Sequence, residues 1–460
     1  MMIGAGVSRW TMLHFGCALG ALLLAGLLLA AGYADPLQAA RAPATLLTVH
    51  LVTIGWLTLL MLGALYQFVP VITGTPLYSQ RLPLASLALI GAGLAGMLAG
   101  FLALGGTVWL SRAWLPLGGG LVLAGMTLGA LDLALTLWRA RPLPLPARFV
   151  AVGLGFMLVA ALFGLGFALA FTLPRPPTAL LRFTGGGLGL HLAAGLGGWF
   201  TLTAMGVSYR LLSMFMLAPE EPRPSTWAAL ILTTAGIVLA LAAGLGRLLA
   251  GWSGQTAWPG AALALFGVAC YLADMLRFYR TRKRRQLELN SVTAAVALIL
   301  LALAIAGAGV AAVLGRFGQC AAALGYLFVF GGLSGLGLGQ LYKIVPFLTW
   351  LERFGPKMGK GPVPRVQDLV NERRARPLFG LYLVAVLLAS AALALELAPL
   401  WHAATVLQLL ATLLIVRELW RARHPDPDLR PGIPSMPRRQ TPPRAPAMPL
   451  SAAASTVQGD

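Results

Sequence analysis

The feature that most constrains this chain is a series of about twelve apolar stretches that recurs from one end to the other. Each is about 20 residues long, enough for an α-helix to cross the roughly 30 Å hydrocarbon core of a bilayer. The stretches are continuous rather than alternating, which excludes a membrane β-barrel. Only 10% of the residues are charged, whereas soluble domains have about 25%. The sequence therefore predicts an all-α integral membrane protein of about twelve transmembrane helices.

The predicted spans are separated by short polar segments, and their ends are placed where the apolar character stops. The first stretch is too long for the apolar core of a signal peptide, so we interpret it as a membrane span. The spans cover residues 10–32, 45–72, 83–105, 116–138, 148–173, 187–216, 226–250, 258–277, 290–314, 319–350, 376–396 and 398–420.

Basic residues divide the loops into two sets. Cytoplasmic loops of membrane proteins are enriched in Lys and Arg. This enrichment explains the net charge of +20, and no nucleic-acid partner is needed to account for it. The basic set of loops carries Arg81, Arg139, Arg141, Arg148, Arg223, Arg277, Arg280, Arg282, Lys283, Arg284, Arg285, Arg353, Lys357, Lys360, Arg365, Arg373, Arg374 and Arg376. The other set carries only Arg41, Arg112, Arg175, Arg182 and Arg316. We therefore predict a multi-pass protein of a bacterial inner membrane, in contact with the lipid bilayer, with both termini in the cytoplasm.

An internal repeat divides the membrane domain, residues 1–423, into three units. In the second, sixth and tenth spans a Gly is followed after eight residues by another Gly and after three more by a Tyr. These triplets are Gly55, Gly63 and Tyr66; Gly198, Gly206 and Tyr209; and Gly331, Gly339 and Tyr342. An aromatic residue followed by Arg-x-Arg closes each unit, at Trp138, Tyr279 and Trp420.

The spacings predict three tandem four-helix repeats, about 1–141, 148–282 and 290–423, with pseudosymmetry and a site between units. The segment 424–460 is rich in Pro, Ala and Arg, and it cannot bury enough apolar surface to fold. It is predicted to be a disordered cytoplasmic tail.

Three of the five histidines are predicted to share a depth in the outer third of the membrane. His50, His191 and His402 each follow the start of a span that runs from the outer to the inner side. An imidazole in hydrocarbon needs a helix carbonyl, a hydroxyl, a water or a metal as its partner. A hydrogen-bonded interfacial His and a metal ligand are both open interpretations. The similar positions of His50 and His191 in two units favour a ligand role for them more than for His402.

Two acidic residues, Asp132 and Asp274, are predicted to lie at similar places in the fourth helix of units one and two. One interpretation is a proton or ion path through the membrane. The other is a carboxylate near the inner boundary that is paired on its own helix face, as Asp274 could be with Arg277. The second interpretation is the more common case, and we favour it.

The arrangement of helices, units and histidines resembles the heme-copper oxidase subunit I superfamily. The segment from His50 through Gly55-Trp56 to Tyr66-Gln-Phe-Val-Pro70 resembles the second helix of its distant, cbb3-like members. The segment from His191 to Trp199 resembles the corresponding part of the sixth helix. The resemblance covers about residues 10–423. It implies that His50 is an axial ligand of a heme b, and that His191 is a copper ligand.

The chain departs from this family in its ligand set. The family has a His-x-His pair in the tenth helix, where this chain has Leu324 and Tyr326. The family has a His pair in the seventh helix, and 227–251 contains no His. An oxygen-reducing site needs several nitrogen ligands around two metals. We therefore expect a protein that is not a functional terminal oxidase.

The expected function is heme or copper binding by a non-oxidase relative in respiratory or nitric-oxide-related metabolism, with other respiratory subunits as partners. His402, at the same depth, is the remaining candidate for a second metal ligand. The alternatives are a cofactor-free transporter and an assembly or structural partner of a respiratory complex on the same scaffold. No nucleotide-binding loop or zinc-protease motif occurs in the sequence.

Overall fold

The computed structural model describes residues 8–36, 42–106, 109–253 and 257–425. In these ranges twelve helices are long and apolar enough to cross a membrane, and there is no β-strand. The helices are α1 (Ser8–Ala30), α2 (Pro43–Thr73), α3 (Leu82–Leu104), α4 (Trp114–Arg139), α5 (Leu145–Thr172), α6 (Leu188–Met216), α7 (Pro224–Ala250), α8 (Trp258–Thr281), α9 (Leu289–Val313), α10 (Phe317–Arg353), α11 (Glu372–Ala394) and α12 (Ala398–Arg423). The prediction of an all-α, twelve-span membrane protein is confirmed. The part of the predicted tail that follows residue 425 lies outside the described residues.

The helix ends agree closely with the spans predicted from hydropathy. The largest differences are four residues, because α8 ends at Thr281 rather than at 277 and α11 begins at Glu372 rather than at 376. The early start of α11 has a local cause: the Asn371 side chain caps the helix by accepting a hydrogen bond from the backbone N–H of Arg374 at 3.1 Å. Its charged first turn is helical although hydropathy excludes it from the span.

The middle of three helices is wound as a π-helix instead of an α-helix. These π segments are Leu51–Thr58 in α2, Ala193–Leu202 in α6 and Leu327–Ser334 in α10. Thr58 and Thr201 donate side-chain hydrogen bonds to the carbonyls five residues earlier, at 2.9 and 2.7 Å. π-helical turns are rare and often occur at functional sites. The sequence analysis did not predict them.

Two buried tryptophans join the π segments of different helices. The indole N–H of Trp56 donates to Ser334 Oγ at 2.9 Å, and that of Trp199 donates to Thr58 Oγ1 at 3.1 Å. The position in α10 that corresponds to these tryptophans is Gly332, which has no side chain to donate. α2 therefore contacts both α6 and α10 at this level. The tandem repeat itself stays a prediction, with which this pattern agrees.

Glycines bring α3 and α4 into close backbone contact, and they do the same for α7 and α8. A Cβ atom added at Gly118 in α4 would lie 2.4 Å from the backbone nitrogen of Met97 in α3. A Cβ atom at Gly236 in α7 would lie 2.4 Å from the backbone nitrogen of Ala264 in α8. Small residues allow membrane helices to approach each other in this way, and the contact area is large because the backbones themselves touch.

The helices α4, α8 and α12 end at Arg139, Thr281 and Arg423, on the side of the molecule that carries the basic loops. We call this side the basic face. Glu418, near the end of α12, is buried and accepts hydrogen bonds from Arg374 at 2.6 Å and from Arg421 at 2.8 Å. A buried carboxylate needs such partners, because an unpaired charge in a low-dielectric environment is costly. The ion pair with Arg374 ties the start of α11 to the end of α12, and the one with Arg421 lies within α12.

Candidate metal-binding site

The structure brings His50 and His191 together, one from α2 and one from α6. Their ring centroids lie 6.3 Å apart, and the ring planes are inclined by only 26°. The resemblance assigned the two residues to different cofactors. The structure places them side by side between two neighbouring helices, just before the π segments of α2 and α6.

A backbone carbonyl fixes the tautomer of each imidazole. His50 Nδ1 lies 2.7 Å from the carbonyl oxygen of Leu46, one turn earlier in α2. His191 Nδ1 lies 3.0 Å from the carbonyl oxygen of Ala160 in α5. A carbonyl only accepts, so Nδ1 carries the hydrogen in both rings and Nε2 has the lone pair. This is the arrangement in which histidines bind metals, with one nitrogen oriented by an acceptor and the other free to ligate.

Aromatic side chains enclose the pair. The Phe101 ring lies 5.1 Å from the His50 ring, inclined by 33°. The Phe167 ring lies 6.0 Å from the His191 ring and is nearly perpendicular to it, at 79°. Both imidazoles are only partly buried.

The spacing of the two rings suits a single metal ion. Two imidazoles that bind one ion from opposite sides have centroids about 6 Å apart, when each metal–nitrogen bond is about 2 Å. The observed 6.3 Å is close to that value, and because the two rings are stacked, a shared ion requires their Nε2 atoms to turn toward each other. A heme would need a flat space for its macrocycle as well, and Phe101 and Phe167 already pack against the two rings. A heme iron between two axial imidazoles would give the same ring separation, so absorbance spectroscopy distinguishes a heme from a small ion.

His402 does not complete the site. Within the described ranges, no group of three or more His, Cys, Asp and Glu residues is arranged to hold a metal ion. The His402 ring lies instead beside the end of α1, where a Cβ added at Gly32 would be 3.2 Å from His402 Cε1. The two-residue pair of His50 and His191 is what the geometry offers to a ligand.

Unit three has a tyrosine where unit one has His50. Tyr326 directly precedes the π segment of α10, and its hydroxyl donates to Gln408 Oε1 at 2.6 Å. Its ring packs against Phe330 and Trp401, with centroid distances of 4.4 and 5.3 Å. A buried hydroxyl that is hydrogen-bonded in this way holds α10 against α12, and it supplies no metal ligand.

The acid of unit two has a different partner from the one suggested by its sequence neighbours. Asp274 accepts hydrogen bonds from Tyr209 at 2.9 Å, Ser225 at 2.7 Å and Thr226 at 3.1 Å. No ion pair joins it to Arg277 among the residues the structure describes. The three hydroxyls hold α6, α7 and α8 together through one carboxylate, which is a structural role.

Comparison with known proteins places the chain in no family. No protein-family model matches it, and a search of curated proteins found no match. The proposals below therefore depend on the residues of this chain, on their geometry and on the resemblance described above.

Proposed function

We propose that this protein binds one transition-metal ion, copper, between His50 and His191, as a non-oxidase relative of heme-copper oxidase subunit I. The observation that carries the proposal is the pair of nearly parallel imidazoles 6.3 Å apart, each with Nδ1 held by a carbonyl. Neutral imidazole nitrogens suit copper, and divalent copper has the highest affinity of the first-row divalent metals for such ligands. The role is to hold the ion within a respiratory or nitric-oxide-related membrane system.

The residues of the chain orient the two ligands before any ion arrives. The Leu46 carbonyl fixes the His50 ring from its own helix, whereas the Ala160 carbonyl fixes the His191 ring from α5. Such partners set the direction of the lone pair and raise the basicity of the ligand. The hydrogen bond from Trp199 to Thr58 joins α6 to α2 along the same two helices, and it supports a fixed separation of the rings.

The ligand set supports binding without oxygen reduction. α10 supplies Tyr326 rather than a histidine, and no third protein ligand joins the pair within the described ranges. A site that reduces oxygen needs more nitrogen ligands around two metals. The three π segments at matching places, and the indole hydrogen bonds between them, support the proposed three-unit scaffold.

The proposal is tested by metal analysis and absorbance spectroscopy of the protein purified from cells supplied with copper and heme. We expect about one copper per chain, the number that one pair of imidazole ligands holds, and no Soret band. A Soret band would show that the protein binds a heme, and the proposal of copper would give way to the heme b that the resemblance assigns to His50. A well-folded, colourless and metal-free protein would reject metal binding and leave the transporter and assembly-partner alternatives.

We propose that the basic face is cytoplasmic, so that both termini lie inside a bacterial inner membrane. Reporter fusions after Arg141, Arg285 and Arg423 are expected to be cytoplasmic, because basic loops are retained on that side. Fusions after Arg112 and Arg175, in the loops of the opposite face, serve as controls and are expected to be periplasmic. A periplasmic signal from any of the first three would contradict this topology.

A further inference from the structure

A cavity of about 600 Å³ lies between α2, α6 and α10, in the halves of these helices that lead to the basic face. Most of its wall is apolar, including Leu60, Ala64, Val207, Leu336 and Ile344. This cavity lies further toward the basic face than the imidazole pair, because His50 precedes every α2 residue that lines the cavity. It has no part in the metal site.

The dimensions of the cavity match one lipid chain. Its α2 wall begins at Leu57 and ends at Val71, a distance of about 20 Å at 1.5 Å per residue. Half of a bilayer core is about 15 Å thick, so the cavity is long enough for the part of an acyl chain that lies in one leaflet. At about 30 Å³ for a group the size of a water molecule, the volume accommodates a chain of about 20 carbon atoms.

Apolar side chains are exposed around the end of this cavity nearest the basic face. Val71 is 60% exposed, Met214 40% and Phe347 48%, and all three line the cavity. Each comes from a different helix among α2, α6 and α10. An exposed apolar opening of this kind favours a hydrocarbon occupant over water.

A positive charge stands at the same end. Lys343 lines the cavity, and its ammonium group lies 5.7 Å from the centre of the Phe215 ring. Glu288 is ion-paired with both Lys343 and Arg284, so two cations share one carboxylate. Among the residues that the structure describes, the cluster of Lys343, Arg284 and Glu288 therefore has a net charge of +1. An anionic group at the mouth would balance it.

We propose that the cavity holds one acyl chain of an anionic phospholipid, whose headgroup lies at Lys343. The apolar wall and its depth select the chain, and the net positive charge of the cluster formed by Lys343, Arg284 and Glu288 selects the headgroup. The cations of the basic face attract anionic lipids to the same surface. The inference does not depend on the metal proposal, because the two sites share no residue.

The test compares dioleoyl phosphatidylglycerol with dioleoyl phosphatidylcholine, which have the same chains and differ in headgroup charge. Lipid bound to the purified protein is measured by native mass spectrometry. Wild type is expected to prefer phosphatidylglycerol. Lys343→Gln is expected to lower phosphatidylglycerol binding about five-fold and to leave phosphatidylcholine unchanged. Glu288 keeps Arg284 as a partner in this variant, so no buried charge is left unpaired.

Two further variants separate the chain from the headgroup. Ala64→Phe fills part of the cavity and is expected to lower the binding of both lipids, with circular dichroism as a check on folding. Lys357→Gln removes a cation on the same face that does not line the cavity, and it is expected to change neither. Equal phosphatidylglycerol binding by Lys343→Gln and wild type would overturn the proposal. Retention of a neutral isoprenoid alone, or of no lipid, would also overturn it.

Discussion

Replacement of His191 by Ala is expected to lower copper affinity by at least about 100-fold, and replacement of His50 by Ala is expected to do the same. Each change removes one of two protein ligands, and even the loss of a residue that only orients a ligand costs about 10- to 100-fold. Copper content is measured by elemental analysis after dialysis against a competing chelator. Circular dichroism checks folding, and both variants are expected to keep the helix content of the wild type.

His14→Ala is the matched control for the ligand variants. His14 also donates from Nδ1 to a backbone carbonyl, that of Trp10 at 2.8 Å, but it is fully buried and packs on Tyr66 rather than on a second histidine. His402→Ala is the control for depth, and both controls are expected to keep copper at the wild-type level. If copper binding survives both His50→Ala and His191→Ala, the site lies elsewhere.

Replacement of Gly118 by Ala is expected to destabilise the protein by about 3 kcal/mol. The new Cβ would lie 2.4 Å from the Met97 nitrogen and 2.5 Å from the Gly93 oxygen. These are backbone atoms and cannot rotate away as a side chain can, so α3 and α4 must separate. The measurement is the midpoint of thermal unfolding in detergent, together with the yield of monodisperse protein.

Gly120→Ala provides the control for this prediction on the same helix. A Cβ at Gly120 meets no atom within 4 Å. The change brings the same gain in helix propensity as Gly118→Ala, and it should leave stability equal to or above wild type. If Gly118→Ala unfolds at the same temperature as Gly120→Ala, the close approach of α3 and α4 is not as described.

The positions of the helices could be predicted from the sequence because each span is a continuous apolar run. The depth of the histidines followed from the same runs, since depth depends only on the distance along the chain from a span end. The approach of His50 and His191 could not be predicted in this way. It depends on the direction in which each helix presents its side chains, and that direction follows from tertiary packing.

The π segments are the second feature that the sequence did not predict. The side of a helix on which a residue lies can be calculated at 3.6 residues per turn only up to the point where the helix changes to π winding. Tyr209, which follows the π segment of α6, donates a hydrogen bond to Asp274 of α8, a partner that helical periodicity alone does not identify. Asp274 illustrates the same limit: its neighbour in sequence is Arg277, but its partners come from α6 and from the start of α7.

The glycine at position 332 changes how the centre of the molecule can move. Three indole hydrogen bonds would form a closed ring, whereas the two that exist form an open chain with α2 in its middle. A displacement of α6 away from α10 would break neither bond, but a displacement of α2 would break both. The hydrogen bond from Trp199 to Thr58 joins α6 to α2, the two helices that carry His191 and His50. Among the described residues no indole hydrogen bond joins α6 to α10, and both helices line the apolar cavity. Passage of a lipid chain between α6 and α10 would therefore leave the separation of His50 and His191 unchanged.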